Sequence, residues 1–164
     1  QEISHAFDDK GSQFDGDGNL RNWWTKEDRD NFDKRTGLLA DQYSQYEVLP
    51  GRKLNGELTL GENIADLGGA KAAFRAYKIS LKGEPSPIID NYTGEQRFFI
   101  GTAQSDRVKF RDEIYEMRVA TSVHSPSRFR VDGVIINMKE FHKAFSTEKG
   151  DKLYKSDNDI ILIW

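Results

Sequence analysis

The first five residues are Gln1-Glu2-Ile3-Ser4-His5. On a helix, residues 1 and 5 stand one turn apart on one face, with residue 2 beside them. In the pattern H-E-x-x-H those places hold two zinc-binding imidazoles and a carboxylate base for metal-bound water. Here the first imidazole is replaced by the Gln1 amide, and Glu-x-x-His alone is a common accidental pattern. Glu62 and Asp66 lie four apart beside an apolar stripe. Like charges at that spacing repel mildly unless a cation lies opposite. A metal, or a His that binds one, would supply that cation; two solvated acids on an amphipathic helix is the plain alternative. His124-Ser125-Pro126-Ser127-Arg128-Phe129-Arg130 places a His and two Arg in a Pro-containing stretch that reads as a loop. A donor there suits an oxyanion, and an Arg suits a carbonyl or carboxylate, although loop arginines are commonly just solvated. Trp23-Trp24 reads as a packing anchor.

These residues need elements to hold them. Thr25 suits an N-cap, with Glu27 and Asp28 in the first turn of a helix whose stripe of Phe32, Leu38, Leu39, Tyr43 and Tyr46 runs to about Glu47. Pro50-Gly51 is a break. A second helix starts near Thr59 or Leu60 and carries Leu60, Ile64, Leu67, Ala70, Ala73, Phe74 and Tyr77 at three- and four-residue intervals. Gly68-Gly69 inside it costs about 1 kcal/mol per Gly, which predicts close packing against another helix. A third helix is expected from Gly94 through Phe98, Phe99 and Ala103 and on to Met117, and a short one near Asn137 to Phe145. Residues 8–22 read as an ordered, turn-rich loop. The fold class is mainly α with long ordered loops and little strand.

Composition removes several classes. Lys+Arg 24 against Asp+Glu 27 gives a net charge of −3, without the basic stripe of a nucleic-acid binder or a case for anionic membranes. No apolar run reaches the ~18–20 residues of a membrane span. The absence of Cys excludes disulfides, thiolate zinc sites, a Cys nucleophile and iron–sulfur clusters. With 37% hydrophobic residues, 31% charged and a mean hydropathy of −0.72, the expectation is one domain with a thin core. The N-terminus has neither the basic nor the apolar region of a signal peptide, and Gln rather than Met at residue 1 suggests a chain cut from something longer. Asp15-Gly16-Asp17-Gly18-Asn19 starts like a calcium loop, but Leu20 and Lys26 stand at its sixth and twelfth places, so a turn is the reading. Gly61 to Lys71 lacks phosphate-loop spacing, and Asn91-Tyr92-Thr93 is a glycosylation sequon by pattern only.

Taken together, these blocks resemble the neprilysin-type zinc metallopeptidases, a group that includes the endothelin-converting enzymes and bacterial oligopeptidases. The resemblance is carried by Glu2-Ile3-Ser4-His5-Ala6-Phe7-Asp8-Asp9, by Gly18-Asn19-Leu20-Arg21-Asn22-Trp23-Trp24 and by Leu54-Asn55-Gly56 through Gly68-Gly69. His124-Ser125-Pro126 with Arg130-Val131 and the terminal Trp164 extend it over essentially the whole chain. It implies a zinc endopeptidase acting on peptides, with residues 1–164 forming the C-terminal portion of one thermolysin-like catalytic domain. Glu2 would be the general base, His5 and Glu62 two ligands of Zn²⁺, and Asp66 the group orienting a ligand His. His124 would stabilise the oxyanion, Arg130 would grip substrate backbone, and Trp164 would pack the C-terminus into the domain.

The departures from the family pattern matter equally. Gln1 stands at the first ligand position, and zinc prefers His, Cys or carboxylate to a neutral amide. Ser122 replaces the Asp usual two places before His124, and Ile161 stands where animal members carry Cys. The latter fits a bacterial member, for which an extracytoplasmic or periplasmic location is expected, with the cytoplasm as alternative. The substrate-binding edge strand and the large helical lobe of the family are missing from these residues. The implied partners are therefore peptide substrates and the upstream half of the protein, or a second chain in its place. Two functions follow: a zinc-dependent endopeptidase, with this isolated chain inactive, or a catalytically silent module that binds peptides or a partner.

Overall fold

A computed structural model describes residues 1–164. It is mainly α. Residues Glu2–Phe7 and Gly11–Gln13 form two short 3₁₀ segments. Helix α1 spans Lys26–Ser44, opened by Thr25, whose hydroxyl accepts the Asp28 amide at 3.1 Å. Strands β1 (Glu47–Leu49) and β2 (Arg52–Lys53) pair antiparallel around Pro50-Gly51, with Gly51 at φ +72° in the left-handed region that glycine tolerates. Helix α2 spans Leu60–Ser80 and α3 spans Gly94–Ser105. A reciprocal Thr93/Gln96 box caps α3. Helices α4 (Asp112–Thr121), α5 (Ser127–Ile135) and α6 (Lys139–Phe145) complete the chain. None of the helices is long and apolar enough to cross a membrane.

Two expectations change. The third helix is two, because residues 106–111 leave helical geometry and Asp112 and Glu113 then open α4 at a dipole-compatible end. The stretch after His124 is not all loop. Pro126 occupies the N-cap of α5, where its missing N–H costs nothing, and its carbonyl accepts the Phe129 and Arg130 amides at 2.7 and 3.2 Å. Arg130 therefore sits on a helix.

Only 30 of 164 residues are buried, which is the thin core that the composition implies. Tyr43, Leu39, Ile64, Leu67 and Met138 lie at its centre, where α1, α2 and α5 meet. At the far end of α2 the rings of Phe74, Phe98, Phe99, Phe141 and Phe145 interlock across α3 and α6. The close approach at Gly68-Gly69 is to the first 3₁₀ segment and the C-terminus rather than to an α-helix. A Cβ on Gly69 would lie 2.8 Å from the Gln1 backbone nitrogen, and one on Gly68 would lie 3.1 Å from Ser4 Oγ and 3.4 Å from Trp164 Nε1. Bare backbone on that face of α2 lets residues 1–5 lie against it.

The Trp pair serves as an anchor. The Trp23 and Trp24 indoles donate to the Phe14 and Ser12 carbonyls at 2.8 and 2.9 Å and tie the 8–22 loop down. Trp24 stacks towards Phe32, and Phe32 in turn contacts Trp164 at 5.5 Å between ring centres. Asp15 Oδ1 accepts the Asp17 and Asn19 amides, both at 3.0 Å, so the calcium-like pattern is a turn.

Candidate active site

Three elements converge on one point: the first 3₁₀ segment, the first two turns of α2, and the start of α5 with the loop before it. His5 comes from the first. Its Nδ1 lies 2.8 Å from Asp8 Oδ2, and Asp8 Oδ1 accepts the Lys10 and Gly11 amides at 2.8 and 2.7 Å. The Nδ1 side of His5 is thus held by Asp8, and its Nε2 faces Glu62 and Gln1. The hydrogen bond to Asp8 holds the His5 pKa above its ordinary value; partial burial opposes this and Glu62 adds to it.

Glu62, on the first turn of α2, is the hub. Its Oε1 lies 3.6 Å from His5 Nε2, and its Oε2 lies 3.3 Å from His124 Nε2 and 3.9 Å from Arg130 Nη2. One turn on, Asp66 accepts Arg130 Nε and Nη2, both at 2.7 Å, in a bidentate fork. That pair pushes the Arg130 pKa further up. Asp106, at the C-terminal end of α3, also feels Arg130 and Asp66, and burial raises its carboxyl.

The loop carrying His124 is fixed from below. Asn63, fully buried, accepts the Ser125 hydroxyl at 2.8 Å and donates to Thr59 Oγ1 at 2.9 Å. Ser122 accepts the His124 backbone amide at 3.1 Å.

His5, Glu62, His124, Arg130 and Asp66 are thus one cluster. Glu2 is exposed and joins it through its charge on His5, with no hydrogen bond or ion pair of its own. Asp66, expected to orient a ligand His, has both oxygens on Arg130, and Asp8 contacts His5. Sequence reasoning missed Asp8, Asn63, Ser125 and Asp106. Asp8 and Asn63 sit inside the two most specific blocks, and that position was their signal.

Gln1 fills the remaining gap. Its Nε2 lies 3.1 Å from His5 Nε2 and 3.0 Å from Glu62 Oε2. A catalytic zinc takes three protein ligands and an open position. These residues provide two, His5 and Glu62, and no group of three His, Cys, Asp or Glu side chains is arranged to hold an ion. The residues present do not fit that zinc.

A profile of Peptidase family M13 matches residues 1–161. The chain belongs to peptidase family M13. It is 45% identical to neprilysin-11 of Caenorhabditis elegans over 149 residues, covering 88% of this chain and 18% of that protein. It is 44% identical to human endothelin-converting enzyme 1 over 155 residues, covering 93% and 20%. Among solved structures, the inhibitor complex of the Mycobacterium tuberculosis zinc metalloprotease Zmp1 superimposes with a TM-score of 0.95 at 44% identity. That alignment covers 99% of this chain and 26% of Zmp1. PepO of Lactobacillus rhamnosis superimposes at 0.84 with 34% identity, covering 99% and 24%. The chain therefore spans about a fifth to a quarter of the length of these M13 relatives.

Proposed function

We propose that this cluster belongs to a neprilysin-type zinc endopeptidase domain, of which residues 1–164 are the C-terminal portion, and that its role in this chain is to hold a peptide backbone. One observation carries the reading. His124 and Arg130 converge on Glu62 from α5 and the preceding loop, locked by Asn63–Ser125 beneath and by the Asp66 fork beside. Donors fixed in this way suit a peptide carbonyl, because they need little reorganisation to meet it. Arg130 already spends two of its donors on Asp66, and its charge is offset by Asp66 and Glu62. That leaves it better suited to a neutral carbonyl than to a free carboxylate.

The reaction of the family is peptide hydrolysis with zinc-activated water. In that scheme Glu2 would be the base and His124 the oxyanion donor. With Gln1 in the first ligand position we derive no hydrolytic step for this chain, and peptide binding without turnover is the reading its residues support.

Calorimetric titration of the chain with a capped, unstructured peptide in chelator tests it. Binding should be detectable, and Arg130→Met should weaken it by about tenfold, the equivalent of one charge-assisted hydrogen bond. Equal affinity for both proteins would remove the peptide-holding role.

A further inference from the structure

We propose that the Gln1 carboxamide has replaced the metal as the link between His5 and Glu62, so that this site is closed by hydrogen bonds and takes up no zinc stoichiometrically. The inference rests on the reading of the cluster as an M13-type site.

The chemistry of the three groups carries it. In the neutral form of His5, the form that could bind a metal, the Asp8 carboxylate at 2.8 Å keeps the ring proton on Nδ1 and Nε2 presents a lone pair. Glu62 presents a carboxylate. Two acceptors facing one gap need either a cation or a group with two protons. The Gln1 NH₂ group has two, and it lies at hydrogen-bonding distance from both, 3.1 Å from His5 and 3.0 Å from Glu62. Turning the amide over would set its oxygen against two acceptors, so the orientation follows from the partners and not from the fit of one atom.

The reach of Gln1 also has a cause. Gly69 on α2 has no Cβ to meet the Gln1 backbone, which sits where that atom would lie, at 2.8 Å from nitrogen and 3.0 Å from Cα. The amide is therefore delivered from a backbone pressed onto α2. The same Glu62 oxygen, Oε2, also lies 3.3 Å from His124 Nε2 and 3.9 Å from Arg130 Nη2, so its charge is met by both. His5 Nε2 and Glu62 Oε2 are already bonded to Gln1, and a metal entering would have to break both links while gaining only two strong ligands.

The test is zinc content by elemental analysis after equilibration with zinc chloride and dialysis, together with the melting temperature, for the chain, Gln1→His and Gln1→Ala. The chain should retain no stoichiometric zinc, and its melting temperature should not respond to the metal. Gln1→His should retain one zinc per chain, with a gain of about 100-fold or more in affinity and a zinc-dependent rise in melting temperature. Gln1→Ala should bind no zinc and melt below the chain, because the bridge is gone. One zinc per chain in the unsubstituted protein, or a Gln1→Ala variant that melts as the chain does, overturns the inference and leaves the M13-type site standing. A Gln1→His variant that takes up no zinc overturns the underlying reading of the cluster instead, since a third imidazole would then complete nothing.

Discussion

Along its first half α2 sends Leu60, Ile64 and Leu67 into the core and meets the site elements through Glu62, Asn63 and Asp66, each in a hydrogen bond or ion pair to another element. Along its second half it meets them through rings, with Phe74 against Phe98 and Phe99 at 5.1 and 5.5 Å and Tyr77 stacked on Phe98. Gly68-Gly69 lies between the two halves and lets the first 3₁₀ segment and Trp164 close over the polar end. The polar half fixes directions, because a hydrogen bond weakens steeply when bent. The aromatic half fixes position, because ring packing is non-directional area burial with a modest geometric preference. A binding site needs directions and a fold needs buried area: the first half of α2 supplies directions from one face and buried area from another, and its far end supplies buried area alone.

Substitutions at the two ends should separate those tasks. The largest effect is expected at the aromatic end. Phe99, 3% exposed and packed on Phe74, Phe98 and Phe141, should cost about 3–5 kcal/mol as Phe99→Ala, read as a fall in the urea midpoint with an unchanged slope. Against a total stability of about 5–15 kcal/mol this approaches unfolding. At the polar end, Arg130→Met leaves Asp66 without its fork partner and should cost roughly 2–3 kcal/mol, with peptide affinity falling as well. Asn63→Ala strands the buried Ser125 hydroxyl and should cost about 1–2 kcal/mol; faster amide exchange in residues 122–126 would show the loop released. If Phe99→Ala weakened peptide binding as much as Arg130→Met does at matched stability, the division between the halves would be broken.

A pH titration away from the site serves as the control. Lys155 is partly buried and donates to Gln42 Oε1 and Asn137 Oδ1 at 2.7 and 2.8 Å, and burial lowers its pKa from 10.5 to about 8. Between those values the unfolded chain binds the proton that the folded chain has released, so stability should rise with pH from about 8 towards 10.5. Below about 8 both states are charged and this contribution is flat. Unfolding midpoints measured across that range should climb for the chain and level off for Lys155→Met. The same slope in both proteins would place the titration elsewhere.

Much of this division was legible in the sequence. Thr25 and the acids after it mark the start of α1, the three- and four-residue spacing marks α2, and the paired glycines mark a close approach. Helix α5 was not legible, because Pro126 between two serines reads as a breaker when it stands at an N-cap. The split of α3 from α4 has no Gly or Pro to announce it. At the site, residue types pointed to His5, Glu62, His124 and Arg130. The assignment of carboxylates to partners did not follow, since Asp8 takes the histidine and Asp66 the arginine only once α5 folds over α2. Sequence spacing places side chains along one element and is silent on which element will lie opposite.

Backbone amide chemical shifts of the chain, followed while a capped peptide is added in chelator, test most directly whether this cluster is the peptide site. Perturbations should concentrate in residues 1–8, 61–67 and 122–131. Perturbations confined to the aromatic end around α3 and α6, or none at saturating peptide, would contradict it.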